Sequence, residues 1–228
     1  MAWLTPAGGA TEPEDRQGVG AMLEELLLRG SASRSSKDQA DAFDLIGASR
    51  SAELQTLHMQ YSTTFLGARF SEVAELVADS LRNPLIAEEA INPARQLALQ
   101  SLKGLDDEPQ SKVMLAAREL HAPGPFGRSG YGTEAGLNGV TRDDAAGHWG
   151  RFFVPGGSII AVAGCVDVEA VADELDRLLE GWTGACSSPP YEGRGTRGDA
   201  HLESATEQTH IAVMHDAPAE GHADSVLE

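Results

Sequence analysis

The sequence predicts an α+β domain with helices layered on a largely antiparallel sheet, and three observations point there. Apolar residues recur with helical period, most clearly at Val19, Met22, Leu23, Leu26 and Leu27 and again across 168–179. The stretch 51–65 alternates with the two-residue period of one long strand or a pair of strands. Residues 158–164 form a short, nearly all-apolar run, the pattern of a strand buried on both faces.

Taken in order, the chain opens on Ala2, Trp3 and Leu4, which read as the end of a strand. A loop follows that carries Pro6, Gly8, Gly9 and Pro13 with the acids Glu12, Glu14 and Asp15. The first helix sets its five apolar residues at i, i+3, i+4, i+7 and i+8, and Gly30 supplies the stop. Ser33, Ser35 and Ser36 offer N-cap hydroxyls for a second helix through about Ile46, closed by Gly47. Beyond the alternating stretch, Phe70, Val73, Leu76, Val77 and Leu81 line one face of a helix that ends before Pro84. Residues 88–105 read as a long helix, with Pro93 inside it or breaking it, and Pro109 opens another through Leu120. Residues 122–136 are a glycine- and proline-rich loop. Thr141 with Asp143 and Asp144 makes an N-cap and an acidic first turn for a helix through Phe153. The amphipathic helix over 168–179 ends at Gly181 and Trp182. Residues 184–205 lack periodicity and read as a linker, and 209–214 as one more strand.

Composition narrows the function classes. With 17 basic and 35 acidic residues the net charge is −18, which argues against nucleic acid, whose phosphates require clustered Lys and Arg. No apolar run approaches the roughly 20 residues of a membrane span. Cys165 and Cys186 form no Cys-x-x-Cys pair, and neither has a neighbouring motif that would make it a nucleophile, so a reduced compartment is the default. The first residues show no basic and apolar signal segment, which makes the cytoplasm the default location, but the start reads as internal to a domain.

Several segments in order resemble one domain of the M16 peptidases, the insulinase, pitrilysin and mitochondrial-processing-peptidase group. The segment Ala7-Gly8-Gly9-Ala10-Thr11-Glu12-Pro13 is similar to the turn that precedes the family's inverted zinc motif, and 18–30 to the helix that carries it. Leu45-Ile46-Gly47-Ala48 resembles the turn after the second helix, and 79–84 the end of the next. Residues 95–109, with Asp106-Asp107-Glu108-Pro109, are similar to the long helix that donates a third ligand. Pro125-Phe126-Gly127-Arg128 and Gly132-Thr133-Glu134 resemble the family's loop. Phe153-Val154-Pro155-Gly156-Gly157 and Ala161-Val162-Ala163-Gly164-Cys165-Val166-Asp167 resemble its late strand. The resemblance implies an M16-like domain over 1–184 with its first strands missing. It further implies a linker at 185–205 and the truncated start of a second such domain at 206–228.

The resemblance also implies a site, and the site is degenerate. Active members hold zinc with two histidines one helical turn apart and a distant carboxylate, and a glutamate between the histidines serves as general base. Here the histidine positions are Ala21 and Glu25, the third-ligand position is Ser101, and the position of its supporting acid is Ala94. Only the general-base position, Glu24, is retained. Adjacent helical residues point about 100° apart, so Glu24 and Glu25 do not converge readily on one ion, although carboxylates and water do suit a hard cation. Solvated or salt-bridged acids are the expected state of both. None of the seven histidines has partners at zinc-site spacing. Cys165 stands where related domains carry an acid or amide, and a small, partly buried thiol is expected there. Arg128 and Tyr131, in the glycine-rich loop, are expected either to stabilise the turn or to contact a partner or peptide.

Expected function follows from concerted loss of the ligands in an otherwise family-like chain. It is a non-catalytic subunit, without zinc or another cofactor, that pairs with a zinc-bearing M16 subunit or a second M16-like domain and helps bind peptide substrates. The alternatives are a structural scaffold subunit of a larger complex and, last, an active zinc metallopeptidase with an unusual site.

Overall fold

The computed structural model describes residues 1–187, 189–203 and 208–218. Four strands, β1 (Ala2–Thr5), β2 (Ser49–Leu54), β3 (Met59–Thr64) and β4 (Ile159–Ala161), form an antiparallel sheet in the order β2-β3-β1-β4. The helices are α1 (Val19–Leu26), α2 (Ser36–Leu45), α3 (Phe70–Arg82), α4 (Glu88–Gly104), α5 (Pro109–His121), α6 (Glu134–Gly139), α7 (Arg142–Phe152) and α8 (Val168–Leu179). The architecture is therefore α+β, with helices packed on an antiparallel sheet.

Register explains which sheet face is buried. Trp3 lies opposite Tyr61 on one side and Ile160 on the other, and Tyr61 lies opposite Ala52, so these four side chains share a face. That face meets Met22, Leu23, Leu26 and Leu27 of α1, Phe43 of α2 and Val73, Val77 and Leu81 of α3 in one core. The opposite face carries Leu4, Gln60, Glu53 and Ile159 in register and is far more open.

Local chemistry sets the helix ends. Ser35 caps α2 by accepting the Asp38 N–H at 3.2 Å. Thr141 and Asp144 form a reciprocal capping box on α7. Pro93 sits inside α4, which continues through it. The alternating stretch resolves into the hairpin β2–β3, and Thr133 caps a short helix, α6, at the end of the region expected to be loop.

Four expectations are corrected. The first helix ends at Leu26 rather than near Gly30, because its last turn tightens into i→i+3 bonds from Leu28 N–H to Glu25 and from Arg29 N–H to Leu26. The apolar run at 158–164 is not buried on both faces: β4 pairs only with β1, and Ile159 is 62% exposed at the sheet edge. Cys165, just beyond that edge strand, is exposed rather than partly buried. Residues 209–214 form no strand, since no neighbouring strand pairs with them, and Ile211 and Val213 stand exposed. The remainder of the expected second-domain start, at 206–207 and 219–228, lies outside the described residues, as do 188 and 204–205 of the expected linker.

Candidate functional site

The site that the resemblance implies sits where α1 meets β2, α4 and the segment before α1. Glu12, only 4% exposed, accepts hydrogen bonds from Gly18 N–H (2.9 Å) and Gly20 N–H (2.8 Å) at the start of α1. Backbone N–H groups there lack intrahelical partners, so a carboxylate is a fitting cap. Burial pushes the Glu12 carboxyl up to about 7, against the two backbone bonds and the Arg128 charge, which lower it, while Glu24 adds a smaller upward push. A Cβ on Gly20 would stand 2.8 Å from Glu12 Oε1 and from both Leu54 methyls, so a side chain there would push these side-chain ends aside.

On α1 itself Ala21 is half-buried against the core and offers no donor atom. Glu25 is paired with Arg29 one turn on (Nε–Oε1 2.7 Å), which realises the salt-bridged state expected of it. Glu24 is half-buried, and among the described residues it forms no ion pair. Its Oε1 accepts the Leu54 backbone N–H of β2. Burial raises its pKa, opposed by the Leu54 bond and assisted by the charge of Glu53. On α4, which packs against α1, Ser101 is exposed and Ala94 is 1% exposed in the core.

This donor set does not fit zinc. Ala21 contributes nothing, Glu25 is committed to Arg29, and Ser101 presents a neutral hydroxyl where the chemistry calls for an anionic or imidazole ligand. Among the described residues no three His, Cys, Asp or Glu side chains are grouped to hold a metal ion.

Arg128 is drawn into the framework. Its Nη1 donates to the Glu12 carbonyl at 2.8 Å, and its own carbonyl accepts from Arg118 Nη2 at 2.6 Å. Tyr131 keeps 37% of its surface open, with its backbone N–H on the Ser129 hydroxyl at 3.2 Å. The structure thus gives Arg128 a bracing role and leaves only the Tyr131 ring facing outward. Sequence reasoning noted Glu12 as a loop acid and missed its place under α1. The available signal was an acid preceding Gly18 and Gly20, whose amides it caps.

An α+β domain with helices packed on a four-stranded antiparallel sheet is the class that this fold defines. Residues 2–124, more than half the chain, match the family described as Insulinase (Peptidase family M16), and the chain belongs to that family. Its relatives include an uncharacterized zinc protease of Mycobacterium leprae, 29% identical over 90% of this chain and 48% of that protein. Another, from Rickettsia bellii, is 24% identical over 92% of this chain and 51% of that protein. The chain thus spans about half the length of these relatives. Similar solved structures include a peptidase M16 inactive domain from Pseudomonas fluorescens, with TM-score 0.76 and 15% identity over 85% of this chain and 48% of that one. A protease from Helicobacter pylori gives TM-score 0.74 and 17% identity over 84% of this chain and 47% of that one. Among the described residues, no helix is long and apolar enough to cross a membrane.

Proposed function

We propose that this chain is a non-catalytic M16-like domain, without zinc, that pairs with a zinc-bearing M16 subunit or a second M16-like domain and helps hold peptide substrates for proteolysis there. One observation carries the reading: Ala21, Glu25 and Ser101 occupy the three positions that the family resemblance assigns to ligands, and their side chains are a methyl group, an ion-paired carboxylate and a neutral hydroxyl respectively. Glu24, the retained general-base position, faces the backbone of β2, a poor orientation for activating a water on a metal. The likeness to a solved domain described as inactive supports the same reading at the level of fold. In this view residues 1–184 are the M16-like domain, 185–205 the linker and 206–228 the start of a second domain. Tyr131, exposed in its loop, is available for contact with a partner or peptide.

The test is elemental analysis of the purified chain for zinc, followed by peptide-hydrolysis assays of the chain alone and with an M16 protein that carries an intact His-x-x-Glu-His motif. Substoichiometric zinc, no hydrolysis alone and hydrolysis in the mixture above that of the zinc protein by itself are expected. Stoichiometric zinc with peptidase activity of the isolated chain overturns the proposal.

A further inference from the structure

The outer edge of β2 is where Glu24 acts. Gln55 N–H points inward, bonding the His58 carbonyl across the hairpin at 2.8 Å. Successive amides along a strand point to opposite sides, so the Leu54 N–H points outward, away from β3. β2 is the terminal strand of the sheet, so an outward amide there has no strand to receive it. A half-buried amide left unpaired forfeits a hydrogen bond that water only partly replaces. The α1 helix runs beside this edge: the Leu54 methyls press on Gly20 of α1, and Arg50 Nη2 donates to the Leu28 carbonyl just beyond it at 3.3 Å.

We propose that Glu24 is a sheet-edge cap: its carboxylate stands in for the carbonyl of a neighbouring strand on the outward Leu54 N–H and staples α1 to the end of β2. The glutamate at the general-base position thereby has an architectural role, which gives a reason for its retention after the ligands are gone. A second consequence concerns the edge itself. With Leu54 N–H already bonded, an extended segment adding to β2 finds outward amide donors at Ala52 and Arg50 and not at Leu54. The inference stands apart from the partnered reading above, since it concerns only contacts within this chain.

Nuclear magnetic resonance on the isotopically labelled wild-type chain provides the test. A scalar coupling across the hydrogen bond, from the Leu54 amide nitrogen to the Glu24 carboxyl carbon, is expected. In Glu24→Ala the Leu54 amide should exchange with solvent about tenfold faster or more, as expected for loss of a charge-assisted bond. Glu24→Gln keeps an acceptor oxygen and should exchange within a few-fold of wild type. Absence of the coupling in the wild-type chain overturns the proposal, as does unchanged Leu54 exchange in folded Glu24→Ala. Should Glu24→Ala fail to fold, the wild-type coupling decides alone.

Discussion

Glu12 grips the first turn of α1 with both carboxylate oxygens, Oε1 on the Gly20 N–H at 2.8 Å and Oε2 on that of Gly18 at 2.9 Å. The contact joins the segment after β1 to the helix on which the family's metal motif would lie. It also encloses an acid that water would otherwise solvate, and that cost is expressed in its titration.

The Glu12 carboxyl, at about 7 in the folded chain against an ordinary 4.5, binds its proton more tightly when folded. Its contribution to stability is fully present below pH 4.5 and is lost as the pH rises through about 7. At about 1.4 kcal/mol per unit the shift corresponds to about 3 kcal/mol. Urea unfolding at closely spaced pH values should show Glu12→Gln lacking this falling component, so that its stability rises more with pH between about 4.5 and 7 than that of the wild type, whatever the variant does to absolute stability. An unchanged pH slope in Glu12→Gln would count against the buried acid.

His148 should act with the opposite sign. It is 7% exposed, its ring centroid lies 4.7 Å from that of Phe152, and burial with the nearby Arg151 charge holds it down at about 4 rather than 6.5. The folded chain keeps the imidazole neutral, so this contribution is present above pH 6.5 and is lost as the pH falls through about 4. Its size is also about 3 kcal/mol. Glu12 and His148 therefore oppose each other across the mildly acidic range, and a shallow wild-type profile is expected there. Replacing His148 with Gln should leave the Glu12 decline exposed, so that stability falls more steeply between pH 5 and pH 7 than in the wild type. If the profile of His148→Gln overlays that of the wild type, the buried neutral imidazole is wrong.

Restoring the ligands tests the positional reading of the site. The variant Ala21→His, Glu25→His, Ser101→Glu puts two imidazoles one turn apart on α1 and a carboxylate on the adjoining α4. It gives up the Glu25–Arg29 pair, a half-exposed i,i+4 contact worth about a few tenths of a kcal/mol. About one zinc per chain is expected by mass spectrometry of the metal content, against substoichiometric zinc in the wild type. A folded triple variant that takes up no zinc would show that these positions do not converge.

How much of this was legible depended on whether the determining interaction was local. Ser35 and Thr141 were readable as caps because their partners lie three residues away. The apolar helix faces were readable from their period, and the hairpin of β2 and β3 from alternation. The exposure of β4 was not, because Ile159 and Ile160 look the same in sequence whether one neighbouring strand or two will pair with them. Glu24 and Leu54 are thirty positions apart in contact order, and nothing in either neighbourhood announces their bond. The family resemblance assigns Glu24 the general-base position, and only the fold shows which group its carboxylate meets.

The segment expected to be a free linker is docked along part of its length, and this can be probed directly. Tyr191 packs against Phe126 with ring centroids 4.9 Å apart and planes tilted by 56°, and Arg197 N–H bonds the Leu120 carbonyl at the end of α5 at 2.9 Å. Arg197 also pairs with Asp216 at 2.6 Å. Between these anchors, Gly195 lies so close to α5 that a Cβ would fall 2.3 Å from the Leu120 carbonyl oxygen and 2.4 Å from that of His121. Both obstacles are backbone, so Gly195→Ala should lift the segment from the helix end instead of being absorbed by a side-chain shift. Arg194 and Arg197 then become easier trypsin sites, and cleavage under native conditions should accelerate several-fold. Tyr191→Ala, which removes one anchor without a clash, should give a smaller increase. Equal cleavage rates in wild type and Gly195→Ala would mean that this stretch is already free in solution.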